Sequence, residues 1–296
     1  MNGTPIGLIG LGLVGRALAQ RLQAAGKQVL GWDVQESARL SFSGGRVAAS
    51  LHDIGRQCQT VLLAIYETRD VQGLVADAQG LLAPGHGVRC LIDCSTGDPD
   101  LLEALALQLQ GRGITLLEAP LSGSSEQIAE GQATLLLGGP AQAVAEHEGL
   151  LATLSETRIH LGPAGMAARA KLATNLVLGL NRAALAEGLV FAEALGIAPE
   201  RFLELVLATP ARSVAAQVKG PLMVAQHFAP PQSRIRQHLK DVDLMRAQAE
   251  RAGLPLPLSS AHAALLRAAV DAGDGELDNA AIVRQLRRAR TPPTDA

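Results

Sequence analysis

The chain has 296 residues, of which 48% are hydrophobic and 18% charged, and its formal net charge is −2. This length allows two domains, and the composition argues against both a disordered chain and a membrane-spanning one. An aromatic content of 2% and the nearly balanced charge disfavour nucleic acid as a partner, because such a partner needs basic patches and rings for stacking. A short basic run near the end is interpreted as a solvated helix face (Arg284, Arg287, Arg288 and Arg290).

The cysteines and the N-terminal segment indicate the cellular compartment in which the protein is expected. Cys58, Cys90 and Cys94 form no CxxC pair, so we expect buried thiols rather than a disulfide framework or a zinc site. The apolar stretch at residues 6–14 follows no basic residue and is interrupted by glycines, unlike a signal peptide. We therefore expect a cytoplasmic protein.

In the first half of the chain, short apolar runs alternate with amphipathic stretches of helix length. Strands buried on both faces give such continuous runs, and their alternation with helices indicates parallel βαβ units. The fold prediction is a mainly parallel, doubly wound α/β sheet of the Rossmann type, forming a dinucleotide-binding domain over residues 1–162. The predicted strands are residues 6–9, 29–32, 61–65, 88–92, 114–117, 134–137 and 158–161.

The strand signals stop after Gly162 and Pro163, and the rest of the chain has helical patterns. Residues 165–195 contain no proline and are apolar on nearly every side, which predicts a long buried helix joining the two domains, either inside the molecule or in an oligomer interface. Residues 163–296 are predicted to form an all-α domain for substrate binding and for assembly into a homodimer or homotetramer. Its other helices are predicted at residues 199–207, 214–226, 235–252, 258–272 and 280–289, and residues 291–296 as a frayed tail.

A glycine-rich motif directly follows the first predicted strand and opens a helix. Residues 10–15 read GLGLVG, and glycines at these positions allow a tight turn, close approach of the backbone to a pyrophosphate and close packing of helix on strand. The motif therefore predicts a dinucleotide site. Its cofactor-binding residues are Gly10, Gly12, Leu13, Val14 and Gly15.

Asp33 ends the second predicted strand, 23 residues after Gly10. A carboxylate at this place accepts hydrogen bonds from ribose hydroxyls and repels a 2′-phosphate. The first base that follows is Arg39. We therefore expect NAD(H) as the preferred cofactor, with NADP(H) as the alternative, and we expect the loops at residues 64–67 and 94–97 to complete the pocket.

Four further segments occur in a fixed order. Residues 93–99 read DCSTGDP, residues 118–123 read EAPLSG with glycines at 131, 138 and 139 beyond them, and residues 162–165 read GPAG ahead of Lys171 and Asn175. Ile235, His238, Lys240 and Asp241 form the last segment. Over almost its whole length the chain resembles the β-hydroxyacid dehydrogenase family, which includes 3-hydroxyisobutyrate dehydrogenase and tartronate semialdehyde reductase.

The resemblance implies a role for each matching residue. Thr96 would contact the nicotinamide end of the cofactor, and Lys240 would reach across to the cofactor. Ser122 and Gly123 would bind the substrate, and Lys171 and Asn175 would form the catalytic pair. The implied activity is NAD(H)-dependent hydride transfer between the nicotinamide and a short β-hydroxy acid or its semialdehyde.

The residue chemistry agrees with these roles. Alcohol oxidation needs a group that takes the hydroxyl proton, and burial of a lysine penalises its ammonium form and so suits it to acid/base work. Asn175 lies one helical turn after Lys171, where it can hold the substrate hydroxyl or orient the amine. A turn after a strand, as at Ser122, offers N–H groups and a hydroxyl to a carboxylate. Arg182 continues the same stripe and is a candidate for the far side of the pocket.

The sequence departs from the family pattern chiefly on the substrate side, which leaves specificity open. Ser124, Thr174 and Ser233 replace a glycine, an asparagine and an aromatic residue, and residues 66–68 (YET) replace a cofactor-contacting MLP. Two alternatives remain: an imine reductase on the same fold, and a non-catalytic dinucleotide-binding protein. Lys171 argues against the first, and its combination with Asn175 and Ser122 argues against the second.

Overall fold

The computed structural model describes residues 4–289, so Arg290 and the predicted frayed tail lie outside the described residues. The chain divides into two compact units, Met1–Lys171 and Leu172–Ala296. Helix α9, defined below, contributes residues to both units. The predicted boundary of the functional domains after residue 162 stays a prediction.

The first unit contains a six-stranded parallel sheet with the strand order β3-β2-β1-β4-β5-β6. The order reverses at β1 and β4, and in such sheets the ligand lies beyond the carboxyl ends of the strands at this switch point. The Rossmann-type prediction is confirmed. The strands are β1 (Ile6–Ile9), β2 (Val29–Trp32), β3 (Arg46–Val47), β4 (Thr60–Leu63), β5 (Cys90–Asp93) and β6 (Thr115–Glu118), and the helices among them are α1 (Leu13–Ala24), α2 (Glu36–Leu40), α3 (Leu51–Gln57), α4 (Thr68–Ala76) and α5 (Pro99–Gln110).

Both faces of this sheet are buried, as the continuous apolar runs predicted. Leu62 packs into one apolar cluster, and its neighbour Leu63 packs into another, because successive strand side chains point to opposite faces. Ile92 and Leu91 divide in the same way. Each fully buried aliphatic side chain of this kind contributes about 1.5 to 3 kcal/mol. The three cysteines are buried free thiols, as expected.

The remaining strands of the first unit form a second sheet instead of extending the first. Its order is β7-β8-β9, with β7 antiparallel to β8 and β9 parallel to it, and the sequence analysis did not predict this separate sheet. Strands β3 and β7 were missed because two residues are too short to show a periodicity. The elements here are β7 (Leu121–Ser122), α6 (Ser125–Glu130), β8 (Thr134–Leu137), α7 (Ala141–Glu146), α8 (Glu148–Leu154) and β9 (Arg158–His160).

The second unit is all-α over the residues that the structure describes, which confirms the prediction. The long helix α9 (Met166–Ala194) is followed by α10 (Pro199–Ala208), α11 (Val214–Ala225), α12 (Ile235–Arg251), α13 (Pro257–Ala269) and α14 (Ile282–Arg288). A π-helical segment (Val270–Asp274) and a 3-10 turn (Asn279–Ala281) join the last two helices. The predicted helix ends agree closely with these bounds except at residue 272, where the π-helical segment continues α13.

Helix α9 buries several polar side chains and exposes several apolar ones. It is long and apolar enough to cross a membrane by length and composition alone. However, Lys171, Asn175 and Arg182 are among its buried side chains, whereas Val177 and Phe191 are 57% and 65% exposed. The helix is therefore a core helix of a soluble protein that leaves one apolar side uncovered in the single chain.

Candidate active site

The glycine motif forms a tight turn between β1 and α1. Gly10 has a positive φ of 94°, and a Cβ there would overlap the carbonyl oxygen of Ala64. A Cβ on Gly15 would overlap the carbonyl oxygen of Gly10, whereas nothing lies within 4 Å of the Cβ position at Gly12. No side chain caps the N-terminus of α1, whose first N–H groups are left for another acceptor. N–H groups at the N-terminus of a helix suit a pyrophosphate.

Asp33 lies at the end of β2 and is fixed to the glycine turn. Its Oδ2 accepts a hydrogen bond from the Leu11 N–H at 2.7 Å, and its Oδ1 accepts one from the Gln35 N–H at 2.8 Å. Arg39, the first base after it, donates to the carbonyl oxygens of Asp33 and Val34 at 2.5 and 3.1 Å. The structure therefore brings Arg39 to the main chain of Asp33, a proximity that was not predicted from the sequence because it depends on the turn into α2.

The loops that follow β4 and β5 come together, as their positions at the carboxyl ends of neighbouring strands predicted. The Ile65 N–H donates to the Ser95 hydroxyl at 3.0 Å, and the Asp98 N–H donates to the Thr68 hydroxyl at 2.9 Å. Thr96 lies between these two bonds and is half-buried. Since Gly10 closely approaches Ala64 at the start of the first loop, three loops meet at this edge of the sheet.

Glu118 holds the start of α9 to the end of β6. Its carboxylate is 1% exposed and accepts hydrogen bonds from the N–H groups of Ala168, at 2.8 Å, and of Gly165. Burial raises the pKa of Glu118, and these N–H bonds oppose the shift. No role was predicted for this residue from the sequence. The sequence did contain a signal for this role. Glu118 places a carboxylate at the end of a buried strand, and the GPAG turn and a helix, whose N-terminus favours a negative charge, follow it in the chain.

Lys171 lies in the first turns of α9 and is 6% exposed. Its Nζ donates a hydrogen bond to the carbonyl oxygen of Leu121 at 2.6 Å. Leu121 precedes Ser122 in β7, and Gly123 follows as an exposed residue before Ser124 caps α6. The structure thus brings the predicted catalytic lysine to the strand that carries the predicted substrate residues.

In the second unit, Asn175 and Lys240 meet at one carboxylate. The Nδ2 of Asn175 donates to Oδ2 of Asp241 at 3.2 Å, and the Nζ of Lys240 lies 3.2 Å from Oδ1 of Asp241. Asn175 and Asp241 are 7% and 6% exposed. Because its Nδ2 is held by Asp241, the side-chain amide of Asn175 has a fixed orientation, and its Oδ1 remains as an acceptor.

Two histidine rings from other helices, those of His238 and His262, are buried against α9. A Cβ on Gly179 would lie 2.5 Å from Nε2 of His238 and 3.0 Å from Cε1 of His262, so both rings pack against this turn of α9. Burial and the charge of Arg182 lower the pKa of His262 to about 4. Arg182 and His238 were singled out from the sequence, but His262 was missed, because nothing in the local sequence distinguishes it from a surface histidine.

A six-stranded sheet in this strand order, a glycine turn at its switch point and an acidic residue at the end of β2 define a Rossmann-type dinucleotide-binding protein. Comparison with known proteins agrees with this class. Residues 5–162 match the family model described as the NAD-binding domain of 6-phosphogluconate dehydrogenase, and residues 165–286 match the model described as NAD-binding of NADP-dependent 3-hydroxyisobutyrate dehydrogenase.

Individual relatives match over nearly the whole chain. An uncharacterized oxidoreductase of Synechocystis is 30% identical over 296 residues, which cover 98% of this chain and 100% of the relative. L-threonate dehydrogenase of Cupriavidus necator is 29% identical, covering 94% of this chain and 95% of the relative. The crystal structure of 3-hydroxyisobutyrate dehydrogenase from Salmonella typhimurium superposes with a TM-score of 0.84 at 23% identity, covering 95% of this chain and 99% of that one.

The chain belongs to the β-hydroxyacid dehydrogenase family, as the four motifs predicted. It is accordingly an NAD(P)-dependent oxidoreductase, and the family activity is hydride transfer on β-hydroxy acids. The residues around the glycine turn fit a bound dinucleotide, because a Cβ would fill the close approaches at Gly10 and Gly15 while the space at Gly12 stays open.

Proposed function

We propose that this enzyme interconverts a short β-hydroxy acid and its semialdehyde with Lys171 as the general acid/base. The observation that carries the proposal is the buried amine of Lys171, which donates to the carbonyl oxygen of Leu121 at 2.6 Å, one residue before Ser122. A lysine that merely extends to the solvent from a helix end would keep its amine exposed. This amine is instead held beside the strand whose hydroxyl and N–H groups suit a carboxylate.

Each residue has one task in this proposal. When bound, the nicotinamide supplies the hydride acceptor for oxidation and the hydride donor for reduction. In oxidation the Lys171 amine takes the proton of the substrate hydroxyl, and in reduction its ammonium returns a proton to the carbonyl oxygen. Asn175 orients the reacting oxygen through its Oδ1, while Ser122 and Gly123 receive the substrate carboxylate. Thr96 and Lys240 are proposed to contact the cofactor.

We propose NAD(H) as the preferred cofactor because of the surroundings of Asp33. Its carboxylate is fixed by the N–H groups of Leu11 and Gln35, so it cannot easily turn away from a 2′-phosphate. The guanidinium of Arg39 is directed at two main-chain carbonyl oxygens. This geometry supports a site that binds the free ribose hydroxyls of NAD(H).

We also propose that the enzyme is cytoplasmic and forms a homodimer or homotetramer through its helical unit. The support is the exposed apolar side of α9, at Val177 and Phe191, together with Val214 on α11, which is 65% exposed. Phe191→Glu should shift the mass measured by light scattering towards the monomer, whereas Leu107→Glu, on the exposed side of α5, should not. An unchanged mass in Phe191→Glu would contradict this interface.

Steady-state kinetics of Lys171→Ala and Lys171→Met test the catalytic assignment. Both variants should lose about 10³-fold or more in kcat, in line with removal of a general acid/base. Their NADH affinity, measured by fluorescence titration, should stay within about threefold of the parent because the amine is not part of the glycine turn. The substrates to screen are 3-hydroxyisobutyrate, glycerate and threonate with NAD and NADP.

An exposed lysine, Lys27→Ala, serves as the matched control and should behave as the parent. Equal kinetics in the Lys171 variants and the parent would remove the catalytic assignment. Tight NADH binding without turnover of any hydroxy acid or semialdehyde would instead favour the non-catalytic dinucleotide-binding alternative. Reduction of a cyclic imine by the parent, without alcohol oxidation, would favour the imine reductase alternative.

A further inference from the structure

Helix α9 begins directly after a glycine, which has no side chain to cap it. The carbonyl oxygen of Gly165 accepts the first helical bond from the Arg169 N–H at 3.0 Å. At this place a serine, threonine or aspartate side chain usually accepts from the first free N–H groups of the helix. Glu118 takes over this task from 47 residues earlier in the chain, because its two oxygens accept from the N–H groups of Gly165 and Ala168. The start of α9 is therefore capped by the end of β6.

The amine of Lys171 is held by the same short segment that caps the helix. Lys171 follows Ala168 by three residues, so the two lie one turn apart on the same side of α9. Its Nζ donates to the carbonyl oxygen of Leu121 at 2.6 Å, and Leu121 follows Glu118 by three residues. Because a lysine side chain is long and flexible, fixing only one end would leave its amine free to move. Residues 118–121 fix both ends, the backbone through Glu118 and the amine through Leu121.

Gly138 provides the space that the Glu118 carboxylate occupies. The main chains of the two residues form a bridge in which each N–H donates to the carbonyl oxygen of the other, at 2.8 and 3.0 Å. A Cβ on Gly138 would lie 3.0 Å from Oε2 of Glu118 and 3.1 Å from Cβ of Ala167, and would crowd the carboxylate against the helix start. The motifs at residues 118–123 and 162–165 and the glycine at 138 thus meet at one carboxylate.

We propose that Glu118 is a positioning residue for the reaction, which holds the Lys171 amine where the substrate proton is transferred by capping the first turn of α9. This role rests on the proposed function, because it takes Lys171 as the general acid/base. Proton transfer needs the amine within hydrogen-bond reach of the reacting oxygen, and a displacement of about 1 Å can cost about 100-fold in rate. Glu118 acts on the chemical step in this way without contacting the substrate.

Glu118→Gln tests this role because it keeps the size of the side chain. An amide accepts at one atom only, so the N–H of Gly165 or of Ala168 loses its acceptor. The kcat value should fall by about 10- to 100-fold, whereas the KM of the hydroxy acid and the affinity for NADH should stay within about threefold of the parent. Glu118→Asp keeps a carboxylate of shorter reach and should give an intermediate kcat. Glu130→Gln, at an exposed glutamate, should behave as the parent.

Gly138→Ala changes the position of the carboxylate without removing it. The added Cβ crowds Oε2 of Glu118, so this variant should also lower kcat and leave the affinity for NADH unchanged. Its matched control is Gly149→Ala, because nothing lies within 4 Å of the Cβ position at Gly149. Equal kcat values for the two alanine variants would contradict the role of Gly138.

The same glutamine substitution in a Lys171→Ala background separates positioning from general structural damage. If Glu118 acts through the amine, Glu118→Gln should change the residual kcat of Lys171→Ala by less than about twofold. A purely structural role would lower kcat in both backgrounds. A fall by the same factor in both backgrounds, or a parental kcat in Glu118→Gln alone, would overturn the positioning role.

Acetic anhydride labelling, quantified by mass spectrometry, provides a readout without turnover. Lys171 is 6% exposed and should react slowly in the parent, and its labelling should be several-fold faster in Glu118→Gln. Lys27, which is exposed, and Lys219, which is 7% exposed, are the fast and slow internal references and should react equally in both proteins. If the parent oxidises no hydroxy acid, the proposed function fails, while faster labelling of Lys171 would still establish that Glu118 places the amine. Unchanged labelling would overturn that placement.

Discussion

The two units of the molecule hold their buried charges in different ways. In the first unit, buried carboxylates are bound by backbone N–H groups: Glu118 by the first turn of α9, and Asp98 by the first turn of α5. In the second unit, Asp278 and Asp241 face the lysine side chains of Lys219 and Lys240. The first unit thus holds these carboxylates with backbone N–H groups, whereas the second adds a lysine side chain to each carboxylate, Asp278 having backbone N–H donors as well.

The difference has a physical consequence for substitution. Backbone N–H groups stay in place when a side chain is changed, so the charge environment of the first unit depends on the fold itself. In the second unit, removal of one side chain leaves a buried partner without its counter-charge, which is costly. Single substitutions can therefore redistribute the charge in the helical unit while the framework of the first unit persists.

The largest effect is expected when the buried pair of Lys219 and Asp278 is broken. Lys219→Met leaves the Asp278 carboxylate, which is 1% exposed, with only its backbone donors, and should lower the free energy of unfolding by about 3 to 5 kcal/mol. Urea unfolding followed by circular dichroism measures the change. The double variant Lys219→Met/Asp278→Asn should recover part of the loss, because the asparagine is neutral and its one side-chain oxygen can still accept the N–H bonds on one side of the group.

Arg201→Met is the control, since the pair of Arg201 with Glu204 is exposed and should contribute less than about 1 kcal/mol. Equal stabilities for Lys219→Met and Arg201→Met would break the comparison between the units. It would mean that the N–H groups around Asp278 suffice to hold its charge, as they do for Glu118.

A smaller effect, which depends on pH, is expected from His262. Its pKa is about 4 in the folded protein, below its ordinary value of 6.5, so the unfolded chain takes up a proton that the folded protein does not. Stability from the neutral ring is present above pH 6.5 and is lost as the pH falls towards 4. Between pH 7.5 and pH 4.5 the parent should lose about 2 to 3 kcal/mol more than His262→Gln.

Unfolding curves of both proteins across this pH range measure that difference. His227 is exposed, and His227→Gln should follow the parent at every pH. Parallel pH profiles for the parent and His262→Gln would show that the ring takes up its proton in the folded protein. The charge of Arg182 would then not lower the pKa of His262.

The smallest effect is expected in the first unit, at Asp33. Asp33→Ala and Asp33→Asn should each reduce the preference for NADH over NADPH by about tenfold, equivalent to about 1.4 kcal/mol, because the repulsion of a 2′-phosphate is removed. Asp33→Asn keeps an oxygen for the N–H of Leu11, so it separates the charge from the geometry. The ratio of kcat/KM values for the two cofactors provides the measurement, and an unchanged ratio in both variants would show that Asp33 does not read the ribose.

Much of the fold was predictable because its signals are local. The apolar runs placed β1, β2 and β8 at their observed bounds, and the helix patterns of the second unit agree closely with α9 to α14. The separate sheet of β7, β8 and β9 was not predictable in this way. Strand pairing depends on contacts between distant segments, and an apolar run does not state which neighbour it joins.

The sequence by itself determined the glycine turn, the acidic residue at the end of β2 and the order of the family motifs, because each follows from residue type and spacing. Tertiary structure decided which groups meet: the Lys171 amine at the carbonyl of Leu121, Glu118 at the start of α9, and Asp278 at Lys219. It also decided that Arg182 is only 4% exposed. Burial and partnership of a charged side chain depend on segments that are far apart in the chain, whereas its chemistry is given by the residue itself.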